Sequence, residues 1–192
     1  MIEEITGLHS LKNLQILNLS HNKIIKVAGL NQLTNLNNLD LSFNHLASAD
    51  AISHLAEVPT LTNMDLSSNY FEYHIDYLEI FQKLPNLACL YLRNMALTRV
   101  TPTYRECYIS HLKIFKYLDD RPIEYDERRT AEAWGSGGKE AEAEVRRLLN
   151  EEKLNNQKKV AEEYRLKSEE NRQKRLFLYD KTLKEYEIEL EN

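Results

Sequence analysis

An α/β solenoid is the fold this sequence predicts, on three observations: a leucine pattern that returns four times, an asparagine after most of its strands, and return segments with near-helical apolar spacing. Leu14, Leu17, Leu19, Asn22 and Ile24 spell L-x-x-L-x-L-x-x-N-x-I. Leu36, Leu39, Leu41, Asn44 and Leu46 repeat it, as do Leu61, Met64, Leu66, Asn69 and Phe71, and Leu87, Leu90, Leu92 and Leu97 repeat it once more. Successive starts stand 22, 25 and 26 residues apart, within the roughly 20–29 residues of a leucine-rich repeat. Short parallel strands on the concave face and helices on the convex face follow from that pattern.

The second and third leucines of each repeat lie two apart, so on a strand they share a face, which is the solenoid interior. One repeat cannot bury its leucines alone; stacking on its neighbours makes a continuous core. Asn22, Asn44 and Asn69 turn inward after their strands, and a buried amide needs partners for both donors and its acceptor. Backbone groups of the bending chain in adjacent coils are the expected partners. Ile24 to Thr34 is short and reads as one or two helical turns. Ser48 to Glu57 and His74 to Lys83 read as fuller helices, with Ile52, Leu55, Val58 and Leu78, Phe81, Leu84 at near-helical spacing. Pro59 and Pro85 stop them.

At the N-terminus, Ile2, Ile5, Leu8 and Leu11 look like the back half of a repeat whose strand is missing, with Ile2 in register with Ile24. The expectation is a truncated first repeat; the alternative is a half-repeat that serves as a minimal cap. The fourth repeat carries Met95 where the asparagine belongs. From Pro102 a helix is expected through His111, and Leu112, Phe115, Tyr117 and Leu118 then lead into Asp119-Asp120-Arg121-Pro122. This segment reads as the terminal cap, with aromatics over the last leucines and the charges facing water. Residues 1–125 thus form the solenoid with its cap, and residues 126–192 a linker and charged helical extension. Gly135-Ser136-Gly137-Gly138 is the linker's break. Lys139 to Asn192 has neither Pro nor Gly and is rich in helix formers. Leu176, Tyr179, Leu183, Tyr186 and Leu190 make a two-heptad seam, too short for a stable coiled coil alone but able to pair with another helix.

Composition narrows the function classes. A net charge of −5 in 192 residues argues against binding a phosphate backbone, which needs a basic face. The longest apolar runs are far too short to span a membrane, and Met1-Ile2-Glu3-Glu4 does not open a signal peptide. Cys89 and Cys107, the two cysteines, fit a reducing compartment, so a cytoplasmic protein is expected. The six histidines show no metal spacing, with His21 and His45 read as surface residues. The glycine cluster lacks a phosphate loop's Lys-Ser/Thr. Adjacent Asp119 and Asp120 do not form a spaced catalytic pair. No catalytic residue, metal or cofactor is expected.

What remains is surface. Three columns cross the concave face: Ile16, Asn38, Asn63 and Cys89; Asn18, Asp40, Asp65 and Tyr91; Ser20, Ser42, Ser67 and Arg93. The serines are expected to solvate an open face. Tyr91 and Arg93 beside Cys89 are a candidate partner contact, because Tyr and Arg are enriched in binding hot spots.

The ordered run Leu90-Tyr91-Leu92, Pro102-Thr103-Tyr104-Arg105, Tyr117-Leu118-Asp119-Asp120-Arg121-Pro122 and Ala131-Glu132-Ala133-Trp134 resembles the leucine-rich repeat dynein axonemal assembly factor family, in which such a run closes the repeats before a charged helical tail. Met95-Ala96 departs from that family's usual Asn-Pro. The resemblance implies a non-catalytic cytoplasmic scaffold for preassembly of axonemal dynein arms in cilia or flagella. Its implied partners are axonemal dynein chains, chaperones or other assembly factors. An axoneme-resident dynein-associated subunit and a phosphatase-regulatory repeat scaffold share the fold and stand as alternatives. Trp134, the single tryptophan, is expected to fold back on the cap and bury its ring.

Overall fold

The structure is a computed structural model that describes residues 1–72, 76–96, 98 and 103–190, with side chains left out at 76 and 183–190. Leu97 and Pro102, and the side chains of Leu183, Tyr186 and Leu190, therefore lie outside the described residues. The chain is an α/β leucine-rich repeat solenoid. Strands β1 (Ile16–Asn18), β2 (Asn38–Asp40), β3 (Asn63–Asp65), β4 (Cys89–Tyr91) and β5 (Tyr117–Leu118) stack in sequence order and in parallel. A sixth strand, β6 (Arg121–Pro122), returns antiparallel to β5 and ends the sheet. Leu17, Leu39, Met64, Leu90 and Leu118 are in register along the inner face, and Ile16, Asn38, Asn63, Cys89 and Tyr117 along the outer one. Period-two alternation dictates that separation of faces.

Two of the return segments carry helix where near-helical spacing predicts it, the first of them shorter than expected. Between β2 and β3 lie a short helix, α1 (Ala49–Ile52), and a 3-10 turn over Ser53–Glu57. Ser48 caps α1 by accepting from the Ala51 amide at 3.2 Å. Helix α2 (Asp76–Gln82) occupies the next return and α3 (Tyr104–His111) precedes β5. Residues 24–34 form no helix, contrary to expectation. Their buried residues Ile24, Val27, Leu30 and Leu33 recur every third position, and Gly29 adopts φ +70°, a conformation that breaks a right-handed helix. Amides at Leu33 and Leu36 donate to the carbonyls of Leu30 and Leu33 instead, giving a chain of tight turns.

Each inward asparagine closes its coil. Asn44, 1% exposed, donates from Nδ2 to the carbonyls of Leu19, Leu41 and Ser42 and accepts at Oδ1 from the Ile24 amide at 3.0 Å. Asn69 does the same one coil later, toward Leu41, Leu66 and Ser67, accepting from Leu46. Asn22 accepts from the Ile2 amide at 2.8 Å, which places Ile2 in register with Ile24 and Leu46. Met95 fills the fourth position as a buried apolar residue.

Two compact units are present, Met1–Val145 and Arg146–Asn192. Helix α4 (Tyr125–Leu190) runs through the glycine cluster, and only Gly137 and Gly138 depart from helical geometry. The boundary expected at residue 125 thus falls at the start of α4, and its first turns belong to the repeat unit: Ala131 lies in the core and Trp134 is half-buried against it. Gly135 makes this possible, because a Cβ there would meet the Ser110 Cβ of α3 at 2.7 Å. In the second unit the described side chains from 150 to 182 are exposed and carry pairs such as Glu162–Arg165 at 2.7 Å and Glu170–Lys174 at 2.8 Å, the three- and four-residue spacing that supports a solvated helix. Among the described residues no helix is long and apolar enough to cross a membrane.

Candidate interaction surface on the concave face and cap

Strand register brings the expected columns together, and much of their polarity is used within the chain. Asn18, Asp40 and Asp65 each accept from the amide two residues on, at Ser20 (2.9 Å), Ser42 (2.9 Å) and Ser67 (2.8 Å). A short polar side chain in this position steers the backbone out of the strand. The serines do not solvate an open face as expected: Ser42 is 6% and Ser67 4% exposed. Ser42 Oγ donates to Asp40 at 2.7 Å, and Ser67 Oγ accepts from the Arg93 amide at 3.3 Å. Neighbouring coils also link through side chains, Asn18 to Asp40 at 3.0 Å and Asn63 to Asn38.

A shallow groove of about 220 Å³ remains over the middle of the sheet, between Ile16 at one end and Tyr91 at the other. Ile16 is 65% exposed. Asp40 uses both carboxylate oxygens, but Asp65 Oδ2 has no hydrogen-bond partner among the described residues. Arg93 is not free at the edge: its guanidinium pairs with Asp120 at 2.6 Å and lies 5.5 Å over the Tyr91 ring. Partial burial raises the Tyr91 hydroxyl above the ordinary phenol value, and the neighbouring Cys89, Asp120 and Asp65 add to it. Burial likewise raises the Cys89 thiol, against the pull of Lys116, which keeps that cysteine a thiol at neutral pH.

The cap motif is structural at its centre. In the repeats, the amides of Leu19, Leu41 and Leu66 donate to the carbonyls of Asp40, Asp65 and Tyr91 in the next strand, at 2.8–2.9 Å. Leu92 holds the equivalent place in the fourth coil, and its amide donates at 2.8 Å to the carboxylate Oδ1 of Asp119. A side chain stands where the next carbonyl of β5 would be, because the chain turns back just after β5, at Asp119 with φ 56°. Asp119 therefore does not face water as expected; its Oδ2 accepts from the Tyr104 hydroxyl and its amide donates to Leu90. Burial and then this hydrogen bond push the Tyr104 phenol well above its ordinary range. Tyr117, expected to cover leucines, is 44% exposed and extends the outer column instead; Phe115 and Tyr108 do the covering.

Arg105 then ties the hairpin to the first turn of α4. It pairs with both Glu127 oxygens at 2.5 and 2.9 Å and donates to the carbonyls of Leu118 (2.7 Å) and Pro122 (3.2 Å). The Arg105 hydrogen bond holds the Glu127 carboxyl below its usual value. Arg121 reaches Glu127 only at 3.9 Å and is largely exposed. Sequence reasoning missed Glu127, since it falls past the expected boundary; the Arg105 of the quoted motif was the signal that a carboxylate partner had to exist.

Four exposed rings were also missed as a set. His21 stacks on Phe43 at 4.2 Å and His45 meets Tyr70 at 5.5 Å, along the edge where the strands end. His21, Phe43, Ser68 and Asn94 occupy one repeat position, and all have φ between 54° and 58°. In the second unit, Leu176 and Tyr179 of the seam are exposed. Among the described residues no group of three or more His, Cys, Asp or Glu could hold a metal ion.

Known proteins agree with this architecture. The family model described as "Leucine Rich repeats (2 copies)" matches residues 2–57. Over 103 residues the chain is 37% identical to the leucine-rich repeat-containing protein ODA7 of Chlamydomonas reinhardtii, covering 54% of this chain and 24% of that protein. Over 96 residues it is 40% identical to dynein axonemal assembly factor 1 of Mus musculus, covering 50% and 15%. These relatives bear out the resemblance read from the repeats and cap, and the chain spans a quarter or less of their length. A chain of the crystal structure of the Drosophila melanogaster SNF/U2A' complex shares the fold, with a TM-score of 0.64 at 24% identity over 76% of this chain and 82% of that one.

Proposed function

We propose that this chain is the repeat-bearing part of a non-catalytic, cytoplasmic scaffold that takes part in preassembling axonemal dynein arms for cilia or flagella. The observation that carries the reading is the 40% identity over 96 residues to a protein named dynein axonemal assembly factor 1. The closed cap described above supports it, since its quoted run is the stretch on which the resemblance rested. Protein partners fit a leucine-rich repeat sheet whose outer columns offer mixed polar, acidic and aromatic groups. Axonemal dynein chains, chaperones or other assembly factors are the partners we assign. The concave residues Ile16, Asn38, Asn63, Asp65 and Tyr91 are the contact surface, and the helix seam from Leu176 to Leu190 is a second site, for another helix. Residues 126–192 serve as the extension that presents it.

The test is to tag the full-length protein in a ciliated or flagellated cell, separate cytosol from detergent-extracted axonemes, and identify what co-purifies from each. Dynein heavy or intermediate chains and chaperones with the cytosolic protein are the expected result. Retention on axonemes with mature arms would make the protein a resident component and overturn the reading.

A further inference from the structure

We propose that the concave groove receives one cationic side chain, arginine or lysine, from a protein partner, with Asp65 as its anionic contact. This rests on the reading that the concave face is a partner surface, and it adds the chemistry of what is bound. At about 220 Å³ the groove is smaller than the roughly 300–1,000 Å³ of small-molecule sites, which suits a side chain delivered by a larger partner. Ile16, Asn38, Asp40, Asn63, Asp65 and Tyr91 are among the residues that line it.

Their chemistry is one-sided. Two carboxylates, Asp40 and Asp65, line the groove, and Arg93, the cation just beyond β4, is already held by Asp120. Asp40 has both oxygens engaged by Asn18 and Ser42, so its charge contributes to the field while its lone pairs are largely committed. Asp65 keeps Oδ2 without a hydrogen-bond partner among the described residues. An unengaged carboxylate oxygen at a partly enclosed position gains most from an N–H donor that brings a positive charge. Tyr91 bounds one end of the groove, with its ring already engaged by the Arg93 guanidinium, so the anionic contact falls to Asp65. Ile16 at the other end offers apolar surface to the aliphatic stem, the part of Arg and Lys that packs. A neutral or acidic partner residue would leave the Asp65 charge uncompensated.

The experiment selects peptides from a random dodecapeptide library against the full chain, followed by fluorescence anisotropy of the selected peptides. It uses wild type and Asp65→Asn. That variant keeps the oxygen that accepts from Ser67, and Asn18 already fills the equivalent place in the first coil with the same bond to Ser20, so the fold is retained; a melting curve matching wild type checks this. Selected peptides are expected to carry an arginine or lysine that neutral replacement cannot substitute. Their affinity should fall roughly tenfold in Asp65→Asn, the equivalent of about 1.4 kcal/mol, and fall in wild type as salt rises. Neutral or acidic selected peptides, equal affinity in the variant, or no selected peptide at all would each overturn the proposal. Co-purification of dynein chains is independent of this outcome. If dynein chains still co-purify with Asp65→Asn while the peptide result fails, only this inference falls; the converse removes the dynein role and leaves the groove's preference standing.

Discussion

Replacing Asp119 with alanine should open the C-terminal end of the solenoid. Three effects add. The Leu92 amide loses its acceptor beside a side chain that is 1% exposed, and an unsatisfied buried donor costs about 1–3 kcal/mol. The Tyr104 hydroxyl, half-buried, loses its carboxylate, but water can reach it, so the loss is nearer ~1 kcal/mol. Alanine must also hold φ 56°, where Asp and Asn are tolerated and other L-residues pay roughly 1 kcal/mol or more. Together these predict about 3–5 kcal/mol of destabilisation, a large part of the stability of a typical domain. Asp119→Asn keeps both the left-handed conformation and an acceptor for Leu92, and should lose only about 1 kcal/mol. Asp119→Gly removes the strain but both bonds, and should fall between them. Urea unfolding followed by far-UV circular dichroism and by Trp134 fluorescence measures the series, with the ring against the cap as a local reporter. Loss of less than ~0.5 kcal/mol in Asp119→Ala, the scatter of ordinary surface substitutions, would refute the idea that this carboxylate ends the strand ladder.

Three further outcomes can be checked in the same way. Asn44→Ala strips four hydrogen bonds from a fully buried position and should cost roughly 3–4 kcal/mol, against about half that for the less buried Asn22→Ala; equal losses in urea unfolding would contradict the buried-ladder account. Gly135→Ala drives a Cβ into Ser110 and should destabilise by about 1–3 kcal/mol, a loss that Ser110→Gly in the same chain should largely restore in thermal unfolding. Glu127 has a folded value below the ordinary 4.5 because Arg105 bonds its charged form, so its contribution is present above that pH and is lost as pH falls through the folded value. Between pH 5 and 3, unfolding titrations should show wild type losing stability more steeply than Glu127→Gln; parallel curves would remove the pair from the acid response.

The repeats were legible because leucine spacing is set by burial alone. Each step of two on a strand has one inner face, and the register Leu17, Leu39, Met64, Leu90, Leu118 follows from it. The asparagines were legible for the same reason, since an inward amide must be satisfied. Residues 24–34 misled because a spacing of three fits both a helix and a series of turns, and only the φ of Gly29 separates them. The serines and Asp119 misled because a short polar side chain next to a strand end reads as solvated, while its competing use is a hydrogen bond to backbone that sequence does not display. The outer columns were placed correctly as neighbours by period two, yet which of their charges stay unengaged depended on partners such as Asp120, 27 residues from Arg93. Glu127 was hidden by distance too: nothing local to Tyr125 marks it as the partner of a residue in α3.

The most direct test of the central claim is to deplete the protein in a flagellated cell and examine axonemes in cross-section by electron microscopy, with dynein heavy chain measured in the cytosol. The account predicts doublets that lack dynein arms, with cytosolic heavy chain reduced, and restoration of both by re-expressing the wild-type protein. A full complement of arms on axonemes from depleted cells would contradict a role in dynein preassembly, whatever the repeats and cap share with their relatives.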